Sequence, residues 1–153
     1  NVWHHGDLAE RTDRNGFIIH GRSDTVLNPS GIRIGTAEIY RQVEMLPEIL
    51  ESLAVGQIKN HDERIILFVV MQEFNIFSEK IRKKIINQIK TNLTSRHVPS
   101  VILNVPELPK TINGKIVELA VKSLINKKPV KNLNILANPE CLKYFEHHPE
   151  LND

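Results

Sequence analysis

Cysteine is nearly absent: Cys141 stands alone among 153 residues, so no disulfide framework can form within the chain, and a reducing cytoplasm is the expected setting. Long apolar runs are missing as well. The longest, residues 65–71, falls far short of the roughly 20 residues that a membrane-spanning helix needs, so no membrane partner is expected. The first residues carry neither the basic start nor the apolar stretch of a secretory signal. The chain opens on Asn1 rather than methionine, within a motif-like string, and so reads as a piece of a longer protein. Nor is there a strong excess of either charge: 20 Lys and Arg face 18 Asp and Glu, a formal net charge of +2. What remains, 41% hydrophobic and 25% charged residues, suits one compact domain with some extra chain.

The small net charge conceals an uneven distribution. Between residues 110 and 131, Lys110, Lys115, Lys122, Lys127, Lys128 and Lys131 face only Glu118. Such a stretch suits a solvated helix face, a membrane surface or a phosphorylated small molecule. It contains no arginine and no aromatic residue to fork or stack onto bases, so nucleic acid is not an expected partner.

Periodicity predicts an α+β fold, a small mainly antiparallel sheet covered by helices with an N-terminal β-hairpin. Residues 16–21 read as a strand between glycines. Residues 25–27 and 32–34 read as a hairpin around Asn28-Pro29-Ser30-Gly31, where proline presets φ and glycine accepts conformations closed to other residues. Thr36 can cap a helix running to about Leu46, with Pro47 just beyond. Residues 53–58, 64–71 and 101–105 read as strands. Ser78 caps a helix over 79–93, whose stripe is Ile81, Ile85, Ile86, Ile89 and Leu93. A loop over 106–114 leads into a helix from Lys115 to about Ile125. The prolines at 129, 139 and 149 predict a loop-rich tail with a short helix near 140–146.

Three stretches carry chemistry. In Leu108-Pro109-Lys110-Thr111-Ile112-Asn113-Gly114-Lys115, a lysine directly after a glycine on a proline-led loop can present its ammonium at a surface, as a point charge for phosphate oxygens. In the second stretch, Arg22, Asp24, Gly31 and Arg33 surround the 28–31 turn, with Glu38-Ile39 following. The third is Gly6-Asp7 after Trp3-His4-His5, by itself only a turn. Together these resemble three signatures of the acyl-adenylate-forming superfamily of AMP-dependent acid–CoA ligases: Pro-Lys-Thr-x-x-Gly-Lys, Gly-Arg-x-Asp followed by Gly-x-Arg and Glu-Ile, and Gly-Asp.

The resemblance covers nearly the whole chain and implies a role for each position. Lys115 approaches the carboxylate and the α-phosphate, Asp7 accepts hydrogen bonds from the ribose hydroxyls, and Arg22 lies near the ribose. Arg33 helps bind phosphate or lock the closed state, Asp24 is the hinge, and Gly31 lets the pantetheine arm pass close to the backbone. Lys90 stands roughly where some relatives place an arginine that touches the CoA nucleotide. A solvated helix lysine explains Lys90 equally well. Residues 1–23 then end a large N-terminal domain, 24–126 form the mobile C-terminal domain, and 127–153 form a tail. Asn28, Asp62-Glu63-Arg64, Ser95-Arg96-His97-Val98-Pro99 and Ala137-Asn138-Pro139-Glu140 look like the branch whose acid is acetoacetate. The implied substrates are acetoacetate, ATP with its Mg, and CoA, and the implied partner is the protein's own N-terminal domain. The sequence departs from the pattern at Gly114-Lys115-Ile116-Val117-Glu118, where many relatives place an arginine shortly after the lysine.

No Ser/Thr/Gly-rich phosphate loop precedes Asp7, so these residues by themselves are not expected to complete adenylation. Cys141 with His147 and His148 fits no common zinc spacing, and no metal site is predicted. Two other readings stand beside the first: a ligase for acetate or propionate, and a non-catalytic module that docks onto a partner or senses CoA.

Overall fold

The first described element is an antiparallel ribbon, β1 (Asp7–Arg11) against β2 (Phe17–Arg22), with a register shift between Leu8 and Ala9. The structure, a computed structural model, describes residues 6–22, 25–146 and 148–152. Phe17 is 70% exposed, and Ile18 and Ile19 are also exposed, so the ribbon adds little to the core. The hairpin expected over 25–34 contracts to one bridge. Buried Leu27 and Ile34 exchange backbone hydrogen bonds of 2.9 and 2.8 Å, and Pro29–Gly31 forms a 3-10 turn between them.

Next comes α1 (Thr36–Val43), which is shorter than expected and capped differently. Thr36 is its first helical residue, and the carboxylate of Glu38 accepts the N–H of Gly35 at 3.3 Å, as an acid at the third helical position can. The helix stops before Glu44, whose carboxylate is engaged by the N–H and hydroxyl of Ser52, both at 2.9 Å.

β3 (Ile49–Lys59) and β4 (Asp62–Met71) then form an antiparallel pair, and β5 (Val101–Asn104) lies parallel to β4, in the order β3-β4-β5. The helix crossing over to β5 is α2 (Glu79–Asn92), capped by Ser78 as predicted, with its hydroxyl accepting from the N–H of Ile81 at 3.5 Å. A strand covered on both faces needs apolar residues throughout rather than alternately. In β4, Ile66, Phe68 and Val70 join one cluster, while Ile65, Leu67 and Val69 join another. The second cluster is completed by Ile39 and Val43 of α1 and Ile85 and Ile89 of α2.

The opposite face is covered by α3 (Glu118–Ile125), through Val121 and Ile125, and by the C-terminal stretch. α3 starts three residues later than predicted, because Ile116 is tied to Lys110 in a β-bridge. Its end follows the Schellman pattern: Lys128 N–H donates to Ser123 C=O and Lys127 N–H to Leu124 C=O, both at 2.9 Å, and Lys127 takes φ 56°. A lysine there carries the left-handed cost that glycine escapes. Lys127→Gly is therefore expected to stabilise the chain by about 0.5–1 kcal/mol, after allowing for the freer unfolded chain. Thermal melting checks this, and a lower melting temperature in the variant would reject it.

The loop-rich tail contributes to the core. A 3-10 turn (Pro139–Leu142) runs directly into α4 (Lys143–Glu146), and α5 (Pro149–Asn152) follows. Cys141, Phe145 and Leu151 are buried against the sheet, with the Phe145 ring edge-on to Phe68 at 4.8 Å between centroids. Buried Gln57 donates to the carbonyls of Ile125 (3.2 Å) and Leu151 (2.9 Å). Arg64 donates to Gln57 Oε1 (2.8 Å) and to the carbonyls of Glu150 and Leu151, so the last turn's carbonyls are satisfied from the sheet.

Candidate functional site

Lys115 stands on a small hairpin rather than at the start of a helix. Gly114 N–H donates to Thr111 C=O (2.8 Å), Thr111 N–H to Lys115 C=O (2.9 Å), and Lys115 N–H to the Thr111 hydroxyl (3.2 Å). Gly114 takes φ 75°, the left-handed position that lets a four-residue turn rejoin its strand through a bulge. The base of the hairpin is fixed from several sides. Val117 N–H donates to Pro109 C=O (2.9 Å), Lys110 N–H to Asn138 Oδ1 (2.9 Å) and Ala137 N–H to Lys110 C=O (2.8 Å), while the Lys110 ammonium is paired with Glu51. Lys115 itself is exposed, and its ammonium has no ion-pair partner among the described residues. Its backbone is rigid and its charge is uncommitted.

Lys115 lies at the edge of a cleft of about 490 Å³, formed between this hairpin, the first turns of α1, and Thr25 and Ile135. The cleft is walled on one side by Tyr40 and Glu118, neither of which the sequence assigned to the site. Tyr40 donates its hydroxyl to Glu118 Oε1 at 2.9 Å. Burial, and next the charge of Glu118, push the phenol well above its ordinary pKa, so it remains a hydrogen-bond donor. This contact joins α3 to α1. The signal in the sequence was Glu118 itself, the lone acid of the lysine-rich stretch; its partner lies 78 positions away and no local pattern indicates it.

The other predicted residues are not gathered into this cleft. Gly31 takes φ 82° on the exposed loop at 28–31, and a Cβ there would meet no atom within 4 Å, so its backbone rather than crowding calls for glycine. Arg33 is exposed, with no ion pair among the described residues. Lys90 is exposed in the last turn of α2, where a cation also suits the helix dipole. Asp7 begins β1 opposite Arg22. The side chain of Arg22, the hinge candidate Asp24 and the Trp3-His4-His5 string lie outside the described residues, as does His147.

The two chemical loops are tied to opposite ends of one hairpin. The Lys115 hairpin is anchored through Lys110 to Glu51, near the start of β3. The 28–31 loop is anchored to Asp62, opposite Lys59 at the far end of the same strand. Those anchors are separated by roughly 27 Å at about 3.4 Å per residue.

Buried Cys141 has its thiol pushed up to about 11, chiefly by burial, which keeps it neutral and unreactive. Among the described residues no cluster of three or more His, Cys, Asp or Glu could hold a metal ion.

The class indicated is the AMP-binding enzyme C-terminal domain, whose model matches residues 42–115 and ends on Lys115. Within that class the chain is a homologue of the C-terminal part of acetoacetyl-CoA synthetases. It is 49% identical over 151 residues to acetoacetyl-coenzyme A synthetase of Rhizobium meliloti, covering 99% of this chain and 23% of that protein. It is 45% identical over 152 residues to acetoacetyl-CoA synthetase of Gallus gallus, covering 98% and 23%. The fold matches the solved acetoacetyl-CoA synthetase from Streptomyces lividans with a TM-score of 0.84 at 37% identity, over 94% of this chain and 22% of that one. It also matches the anthranilate CoA ligase AuaEII, solved in complex with anthranoyl-AMP, with a TM-score of 0.68 at 26% identity, over 73% and 22%. The chain thus spans about a quarter of the length of the relatives it matches.

Proposed function

We propose that the chain is the mobile C-terminal part of an ATP-dependent acid–CoA ligase that converts acetoacetate and CoA to acetoacetyl-CoA through an acyl-adenylate, releasing pyrophosphate and then AMP. The observation that carries this reading is the uncommitted Lys115 ammonium on a rigid hairpin at the edge of a cleft. In the first half-reaction Lys115 offsets the negative charge that gathers between the acid's carboxylate and the α-phosphate as they join, an electrostatic role that needs no covalent bond. Asp7 holds the ribose hydroxyls, with Arg22 nearby, and Arg33 meets phosphate or locks the closed arrangement.

The domain then turns about Asp24, withdrawing Lys115 and bringing the 28–31 loop to the acyl group, where Gly31 admits the pantetheine arm. Lys90 meets the CoA nucleotide. The anchoring of the two loops at opposite ends of one β-hairpin supports assigning them to different steps. Residues 1–23 belong with the large domain, and residues 24–126 turn as a unit. The stretch 127–153 moves with them, because Phe145 and Leu151 share their core. ATP arrives with magnesium, and the setting is the cytoplasm.

The acid is tested directly in the complete protein by pyrophosphate exchange with acetoacetate, acetate and propionate. Acetoacetate is expected to give the highest kcat/KM. Preference for acetate or propionate would replace the substrate assignment, and no exchange with any acid would leave the docking-module reading in its place.

A further inference from the structure

We infer that Glu63, with Asp62 beside it, is a positioning residue for the loop at 28–31 and, through that loop, for the thioester-forming half of the reaction. The inference rests on the reading that this loop meets the pantetheine arm.

β3 and β4 are joined by Asn60 and His61, at φ 51° and 66°, a two-residue turn that places Asp62 and Glu63 at the first positions of β4. The Glu63 side chain is only 10% exposed. Its Oε2 accepts the N–H of Asn28 at 2.7 Å, and Lys122 Nζ stands 3.8 Å from its Oε1. The path to Asn28 exists because residue 56 is glycine. A Cβ built on Gly56 would fall 1.5 Å from Glu63 Oε1, so the carboxylate lies in the space that a side chain on β3 would fill. Asp62 completes the hold: its Oδ1 accepts the N–H of Ser30 at 2.9 Å and that of Glu63 at 2.7 Å, and its Oδ2 accepts the Ser30 hydroxyl at 2.9 Å.

The loop needs such a hold. Ser30 and Gly31 take consecutive positive φ values, 50° and 82°, and for Ser30 this region is intrinsically unfavourable. Two carboxylates from 32 to 35 residues away stabilise it by receiving backbone N–H groups, the stronger, charge-assisted kind of hydrogen bond. A tie needed only to close the fold could be made anywhere along the loop. This one grips Asn28 and Ser30, two of the three residues immediately before Gly31.

The test uses the complete protein with Glu63→Ala, Gly56→Ala and Asp62→Asn, and three readouts: amide hydrogen exchange at Asn28 and Ser30 in the 28–31 loop, pyrophosphate exchange, and thioester formation from supplied acyl-adenylate. The expected result is faster amide exchange at those two residues and thioester formation slowed about tenfold, equivalent to 1.36 kcal/mol, with pyrophosphate exchange unchanged. If Gly56→Ala does not fold, Glu63→Ala decides. Unchanged amide exchange would show that the carboxylates do not hold the loop, and equal loss of both half-reactions would reduce them to a general structural role. Either outcome overturns the inference while leaving the ligase reading intact. Faster amide exchange with both half-reactions unchanged would instead remove the loop from the CoA path, and with it the reading on which the inference rests.

Discussion

Replacing Lys115 with alanine in the complete protein is expected to slow acyl-adenylate formation about 10²–10³-fold, the loss seen when one preorganised charge-stabilising donor is removed. Thioester formation from supplied acetoacetyl-adenylate is expected to be unchanged. The asymmetry follows from where the lysine stands. Its ammonium is exposed and makes no ion pair among the described residues, so its removal leaves no buried partner unsatisfied and does not disturb the fold. The hairpin that presents it is held by backbone bonds to Thr111, Pro109 and Asn138 that do not involve the lysine side chain. What is lost is a positive charge at the point where carboxylate and phosphate oxygens crowd together. Lys115→Arg keeps the charge but spreads it over a planar fork, and should restore the rate only in part. Measuring pyrophosphate exchange and thioester formation separately checks the prediction, and equal loss of both half-reactions would sink the assignment.

The largest effect on stability is expected from Phe145→Ala, about 3–5 kcal/mol, the range for removing a buried aromatic side chain and leaving a cavity. A domain of this kind is stable by only about 5–15 kcal/mol in all. Phe145 is fully buried, belongs to the cluster containing Leu53, Ile66 and Leu103, and meets the ring of Phe68 edge-on, an arrangement worth about 0.5–1.5 kcal/mol beyond the buried area. Urea unfolding of the 153-residue chain measures it. A loss below about 1 kcal/mol, the level of an ordinary substitution, would mean that the C-terminal stretch is an appendage rather than part of the core. Phe145→Leu, which keeps most of the volume, should cost much less.

Local chemistry was enough to read some elements. The isoleucine spacing and Ser78 defined α2 to within one residue, and the run at 65–71 identified the middle strand, because helix periodicity and two-sided burial are written in neighbouring residues. The stretches Gly114-Lys115 and Arg22 to Arg33 indicated the superfamily because short loops carry their chemistry in order along the chain. The tail's short helix, expected near 140–146, is α4 (Lys143–Glu146), but its burial is not legible in the same way. The tail's prolines signal breaks in regular structure, which they make, but they say nothing about whether Cys141, Phe145 and Leu151 find a sheet to cover. The start of α3 was placed three residues early because Lys115 and Ile116 suit a helix locally; the bridge to Lys110 overrides that preference.

By itself, then, the sequence determined most element types and the resemblance to the superfamily, and it singled out Lys115 and Gly31 as candidates, all matters of residue type and short spacing. Only the tertiary structure decided that Lys115 is presented by a hairpin, that Tyr40 closes on Glu118 behind it, and that Glu63 reaches across Gly56 to hold Asn28. Each of those depends on groups 35 to 78 positions apart meeting at hydrogen-bond distance, or on a hairpin that competes with an equally suitable helix. Such pairings are set by how the layers pack, and no window along the chain contains both partners.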